Sequence, residues 1–163
     1  MSGAAPAAIV TTLISGGQTG VDRAALDVAL ARGIACGGWV PKGRRAEDGP
    51  LAPRYPIQEM QSRSYAARTR RNVGAADATL ILTRGRPTGG TALTISYAVQ
   101  LGRRYRIVDL QEPPDPADTR AWLWENRISV LNVAGPREST APGIYHQAVA
   151  FLDAVVTGSP ACP

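Results

Sequence analysis

The chain has 163 residues, 44% hydrophobic and 19% charged, an ordinary composition for one globular domain with a real core. Its formal charge of +5, from 18 basic and 13 acidic residues, suits an anionic partner without naming it. No apolar run approaches the roughly 20 residues of a membrane helix, Cys36 and Cys162 form no disulfide framework, and the lone His146 excludes a His-rich metal site.

The opening MSGAAPAAIV carries no Lys or Arg, and reads as a lead-in of small residues rather than a secretory signal. Ile9–Ser15 is a continuous apolar run, as a buried parallel strand requires. Asp22–Arg32 is the first predicted helix, stopped by Gly33 as its C′ residue. Ile34–Trp39 is a short strand. Pro41–Met60, with four prolines and two glycines, is a long irregular excursion of the kind that often carries function. Ser64 caps a helix running to about Asn72, and Thr79–Thr83 is a β-rich apolar run. Gly90–Leu101 is a helix ended by Gly102, and Arg106–Leu110 is a strand. Asp118–Asn126 is a helix capped by Asp115 or Asp118, Ile128–Val133 is a strand, and Gly143–Val156 is the last helix. The tail TGSPACP is expected to fray.

This alternation predicts an α/β fold: a single Rossmann-like, doubly wound parallel sheet of about five strands with helices on both faces. The domain is expected over 9–157, with flexible termini at 1–8 and 158–163. Ligands of such folds sit at the carboxyl ends of the strands, where the strand order reverses. Cysteine usage makes a reducing cytoplasm the default. No aromatic-interleaved basic stripe is present, so neither nucleic acid nor membrane is an expected partner.

Four loops follow strands and carry the candidate chemistry. The first is Gly16-Gly17-Gln18-Thr19-Gly20. Glycines let backbone approach a ligand, and the next helix N-terminus offers free N–H groups and partial positive charge. It is neither G-x-G-x-x-G nor a Walker A loop, so a tight turn remains the competing reading. The second, Thr88-Gly89-Gly90-Thr91, repeats the design after the third long strand. If the first and third strands are neighbours, both helix N-termini face one cleft and make a double anion site.

The third loop brings Lys42, Arg44 and Arg45 together; Arg grips oxyanions bidentately, but the nearby acids could equally pair with these cations. Trp39 beside it caps the core or offers a stacking face. The fourth supplies Asn132, Gly135, Arg137, Glu138 and Ser139. Glu138 has the chemistry to accept from the N–H groups of a heterocycle, or is a solvated neighbour of Arg137. Asp22 stands in the first turn of the first helix, favourable to its dipole and within reach of a ligand. Arg68 and Arg71, three apart on a predicted helix, read as a solvated face, and Cys36 as a small buried hydrophobe.

Together, ISGGQTGVDRAALD, GGWVPKGRRAEDGP, TGGTAL and LNVAGPRES resemble the molybdenum carrier family, which is similar to the molybdenum cofactor carrier proteins of algae and bacteria. The resemblance runs from about Ile9 to Val156. It implies a Rossmann-like fold, a homo-oligomer (tetramer or dimer), and binding of the molybdenum cofactor, molybdopterin, in a basic pocket. It further implies storage or protection of that cofactor rather than chemistry on it, with a molybdoenzyme as recipient. The cofactor is anionic at its terminal phosphate and at its oxo-molybdenum dithiolene. One helix N-terminus would take the phosphate and the other, with Arg44 or Arg45, the oxo group. Molybdate or tungstate would suit the same electrostatics.

The wider superfamily is similar to the cytokinin-activating phosphoribohydrolases, whose motif is P-G-G-x-G-T-x-x-E with a catalytic Glu. Here Pro87-Thr88-Gly89-Gly90-Thr91-Ala92-Leu93-Thr94 places Thr94 at the Glu position, which leaves no acid–base carboxylate in the loop. No residue is therefore assigned a catalytic role and no metal ligand is assigned. A hydrolase or sensor that binds a nucleotide monophosphate is the alternative.

Overall fold

The computed structural model describes residues 10–158. Residues 1–8 and 159–163, Ile9 and Cys162, on which expectations were placed, lie outside the described residues.

The chain begins with β1 (Thr12–Ile14), α1 (Val21–Arg32), β2 (Ala35–Gly37) and β3 (Trp39–Val40). An excursion then carries β4 (Arg45–Ala46), β5 (Gly49–Pro50) and β6 (Gln58–Glu59). After it come α2 (Tyr65–Ala75), β7 (Ala78–Thr83), α3 (Gly89–Gln100), β8 (Arg104–Asp109), α4 (Pro116–Glu125), β9 (Val130–Ala134) and α5 (Ile144–Thr157). Five strands form one parallel sheet in the order β2-β1-β9-β7-β8, as the alternating pattern predicts.

The adjacency of the first and third long strands, the condition for two helix N-termini sharing one cleft, does not occur. β9 lies between β1 and β7, pairing Leu13 with Leu131 on one side and Leu80 with Val133 on the other. Counted from β9 as though it came first, the order reads 3-2-1-4-5, the doubly wound arrangement. The winding reverses between β9 and β7, so the carboxyl ends of these two strands open the ligand crevice.

The faces of the sheet differ in chemistry. Leu13, Leu80, Leu82, Leu131 and Val133 pack with α1, α4 and α5 in one large apolar core. The alternate positions Thr79, Thr83 and Asn132 are buried on the opposite face, toward α2 and α3. There the Asn132 amide Nδ2 donates to Thr79 Oγ1 at 3.2 Å, pairing two buried polar groups that would otherwise be costly. One side of the sheet thus supplies stability and the other a polar floor.

Helix ends follow local rules. Gly33 closes α1 in the left-handed conformation (φ 67°), with its N–H on the carbonyls of Ala29 and Leu30. Ser64 caps α2, and Asp115, rather than Asp118, caps α4. The predicted strand Ile34–Trp39 is broken at Gly38 (φ 117°), whose Cα faces the Ser15 carbonyl so closely that a Cβ would collide with it. Beyond the break, Asn72 imitates a strand partner: its Oδ1 accepts from Trp39 N at 2.9 Å and its Nδ2 donates to Trp39 O at 3.1 Å.

The excursion is ordered by a second apolar cluster of Leu26, Val40, Leu51, Tyr55 and Ile57, with Cys36 packed against both cores. Within it β4 and β5 form a hairpin turning at Glu47 and Asp48. Among the described residues no helix is long and apolar enough to cross a membrane.

Candidate anion-binding cleft

A cleft of about 430 Å³ opens at the carboxyl ends of β9 and β7, between α2 and α3. That volume suits a small organic ligand. Its floor is Asn132 with Thr94; its walls are Thr88–Thr91 of α3, Tyr65, Arg68 and Asn72 of α2, and Gly135–Arg137 with Ser139 after β9. Gly16, Gln18 and Asp22 close the side toward β1.

The helix N-termini near this edge are not equivalent. At α5, the Glu138 carboxylate accepts the N–H groups of Gly143 and Tyr145, the latter at 3.0 Å. At α1, the Val21 N–H donates to Pro136 O at 3.3 Å. At α3, Thr88 makes no side-chain cap, and a Cβ on Gly89 or Gly90 would meet nothing within 4 Å. Gly90 also lacks a positive φ, so neither backbone conformation nor crowding calls for glycine there. Glycine inside a helix costs about 1 kcal/mol relative to alanine. The Thr91 and Ala92 N–H groups donate to Thr88 O, and the Gly89–Gly90 end of α3, with its helix dipole, faces the cleft.

The first loop contrasts with this. The N–H of Gly17 donates to Ser15 Oγ (3.3 Å), that of Gln18 to Asp22 Oδ2 (3.3 Å) and that of Thr19 to Gln18 Oε1 (3.1 Å). Its glycines are explained by the protein itself. A Cβ on Gly16 would overlap the Arg68 guanidinium, one on Gly17 would lie 2.8 Å from Val40, and one on Gly20 would strike Pro136 O. Gly135 is equally confined, by Leu82 O and Val21.

Arg68 is buried, not solvated as its helix spacing led one to expect. Its Nη1 donates to Asp22 Oδ2 at 2.8 Å, and both side chains are shielded from water. Burial pushes the Asp22 carboxyl up, against the pull of Arg68, the Gln18 N–H and Arg23. Arg68 Nε and Gln18 Nε2 are buried on cleft-lining side chains and lack any hydrogen-bond partner. Orphaned donors of this kind cost free energy unless something accepts from them. The ring of Tyr65 gathers three guanidinium groups, with Arg45 at 4.5 Å and Arg68 and Arg137 each at 5.5 Å from its centroid.

Comparison with known proteins fits this geometry. The model of the circularly permutated YpsA SLOG family matches residues 13–156. The chain belongs to that family. The permutation accounts for β9 at the centre of the sheet: the strand that opens a doubly wound fold comes last in this SLOG chain. A crystal structure from Syntrophus aciditrophicus SB, described as a putative molybdenum carrier protein, is 42% identical, with a TM-score of 0.87. The match covers 91% of this chain and 96% of that one, which bears out the resemblance read from the four motifs. No match was found among curated proteins.

Within this SLOG chain the expected site residues divide. Gly16, Gln18, Thr88, Gly89, Gly90, Thr91, Asn132, Gly135, Arg137 and Ser139 line the cleft. Gly17, Thr19, Gly20, Lys42, Arg44, Arg45 and Glu138 do not line it. Arg44 donates to the carbonyls of Leu51, Ala52, Tyr55 and Ile57 and so braces the excursion. Lys42 is exposed, its N–H bonded to Ser62 O. Arg45 reaches the rim only through Tyr65. Trp39 carries the Arg71 guanidinium 4.8 Å from its ring centroid.

Tyr65, Thr69 and Asn72 were not singled out from the sequence. Their signal was a polar stripe at i, i+3 or i+4, and i+7 along α2, including Arg68, where a core-facing stripe would be apolar.

Proposed function

We propose that the cleft binds the molybdenum cofactor as an anionic pterin ligand and holds it without chemistry. The observation that carries this reading is the N-terminus of α3, which has no side-chain cap and whose Gly89 and Gly90 open onto the cleft of about 430 Å³. The residues fit the group. The α3 N-terminus suits an anionic end, and Gln18, Arg68 and Tyr65 with its surrounding guanidinium groups make the rest of the lining polar and cationic. The description of the Syntrophus aciditrophicus protein as a carrier supports storage or protection.

The absence of catalysis rests on Thr94. It stands where the phosphoribohydrolases have Glu, and its hydroxyl donates back to Gly90 O at 2.9 Å. The carboxylate that lines the cleft, Asp22, is tied to Arg68. Delivery to a molybdoenzyme in the cytoplasm belongs to the same reading. So does homo-oligomerisation, as dimer or tetramer, for which exposed Val99, Tyr105 and Ile107 offer apolar surface.

Titration with the cofactor, followed by metal analysis and pterin fluorescence, tests the proposal. Stoichiometric binding that Gly90→Asp abolishes is the expected result. Binding of AMP but not the cofactor would replace the carrier reading with a nucleotide-binding one, and molybdate or tungstate binding alone would reduce it to an oxyanion site.

A further inference from the structure

The β4–β5 hairpin places an acid in a setting built for a ligand's anion. The Glu47 carboxylate accepts the Thr19 hydroxyl, the Ser139 hydroxyl at 2.5 Å and the Ser139 N–H at 3.2 Å, and lies 3.9 Å from Arg137 Nη1. Two hydroxyls, a backbone amide and a guanidinium converging on one point are the donor set of a phosphate or metal-oxyanion site. The donors belong to the framework, coming from the loops after β1 and β9, and Arg137 and Ser139 also line the cleft. The acceptor alone comes from the turn of a two-stranded hairpin outside the main sheet.

Glu47 is also coupled to the cleft through Gln18. Its N–H donates to Gln18 Oε1 at 2.8 Å, while the Nε2 of the same amide is buried without a partner. Gln18 itself lines the cleft, so its side chain joins the hairpin turn to the cleft wall. The hairpin does not depend on Glu47 alone, because Asp48 beside it forms a two-point pair with Arg23 at 3.0 and 3.1 Å.

We propose that Thr19, Arg137 and Ser139 form a second oxyanion subsite at the mouth of the cleft, which takes the distal phosphomonoester or tetrahedral oxyanion of the bound ligand and which Glu47 fills until that ligand arrives. The α3 N-terminus takes one anionic end and this subsite the other, so the inference rests on the cleft's being a binding site for an anion. The excursion then has a purpose beyond packing: its turn carries the carboxylate that the ligand displaces.

The test is calorimetric titration of inorganic phosphate, and separately of molybdate, into wild type, Glu47→Ala, Glu47→Ala with Ser139→Ala, and Gly90→Asp. With its competitor removed, Glu47→Ala is expected to bind at least about tenfold tighter. Adding Ser139→Ala is expected to abolish that gain. A folded Glu47→Ala protein that binds no tighter overturns the subsite and leaves Glu47 a latch. Should Glu47→Ala fail to fold, Glu47→Ser, which also withdraws the carboxylate from these donors, takes its place, and the same gain or its absence decides. A gain in Glu47→Ala with unchanged binding in Gly90→Asp keeps the subsite and removes the α3 site. Lost binding in Gly90→Asp with no gain in Glu47→Ala does the reverse.

Discussion

The Arg68 guanidinium occupies the space a Gly16 side chain would need, and from there reaches Asp22 Oδ2 at 2.8 Å. One glycine, one arginine and one aspartate from distant parts of the chain thus form a single buried unit. Arg68→Ala leaves Asp22 buried without its partner, and such losses cost about 3–5 kcal/mol. Denaturant unfolding should show the midpoint falling accordingly. Combining Arg68→Met with Asp22→Asn should recover part of the loss, because no charge then remains buried. If the double variant is no more stable than Arg68→Ala, the ion pair is not what the site depends on.

Gly90 separates stability from binding. A Cβ there meets nothing within 4 Å and the backbone is already helical, so Gly90→Ala should stabilise the ligand-free chain by about 0.5–1 kcal/mol. The same methyl enters the space offered to an anion, so affinity for the ligand should fall. Thermal melts with and without ligand check both signs. A stabilised protein with undiminished affinity would show that ligand does not approach α3 there.

Glu138 should matter to folding. Its carboxylate accepts the Gly143 and Tyr145 N–H groups at the start of α5. Glu138→Ala removes this cap, at a cost of about 0.5–2 kcal/mol. Glu138→Gln should recover only part of the stability, since its amide oxygen accepts one of the two N–H groups while its NH2 faces the other. The two melting temperatures give the answer, and equal losses in both would place the effect in charge rather than capping.

The hairpin turn should make stability depend on pH at the acidic end. The Asp48 carboxyl is held below its ordinary range by the Arg23 hydrogen bonds. For Glu47, burial pushes the carboxyl up but is outweighed by hydrogen bonds from Ser139 and Thr19 and by Arg137, so it too is lowered. A carboxylate lowered on folding stabilises fully above its unfolded value and loses that contribution as pH falls through the folded one. Asp48 is half exposed, so its pair with Arg23 is worth only about 0.2–1 kcal/mol. Asp48→Asn should therefore flatten the acidic limb of the stability profile slightly while lowering the neutral plateau by that amount. An unchanged acidic limb would contradict the linkage.

The sequence by itself determined the α/β class, the parallel sheet and the family. Short β-rich apolar runs such as ATLILT in β7 read as buried strands, and Gly33, Ser64 and Asp115 end or begin helices through contacts a few residues away. It also marked four loops, all of which reach the carboxyl edge because each follows a strand. What it could not decide was which Gly-Gly pair opens freely onto the cleft. SGGQTG and TGGTAL look alike locally, yet Arg68 and Val40 press against the first pair and nothing presses against the second. A glycine records that space or a positive φ is needed; whether the protein fills the space beside it is set by residues far away in the chain. The position of β9 between β1 and β7 likewise arises from sheet pairing, and it moves the cleft from the first loop to the ends of β9 and β7.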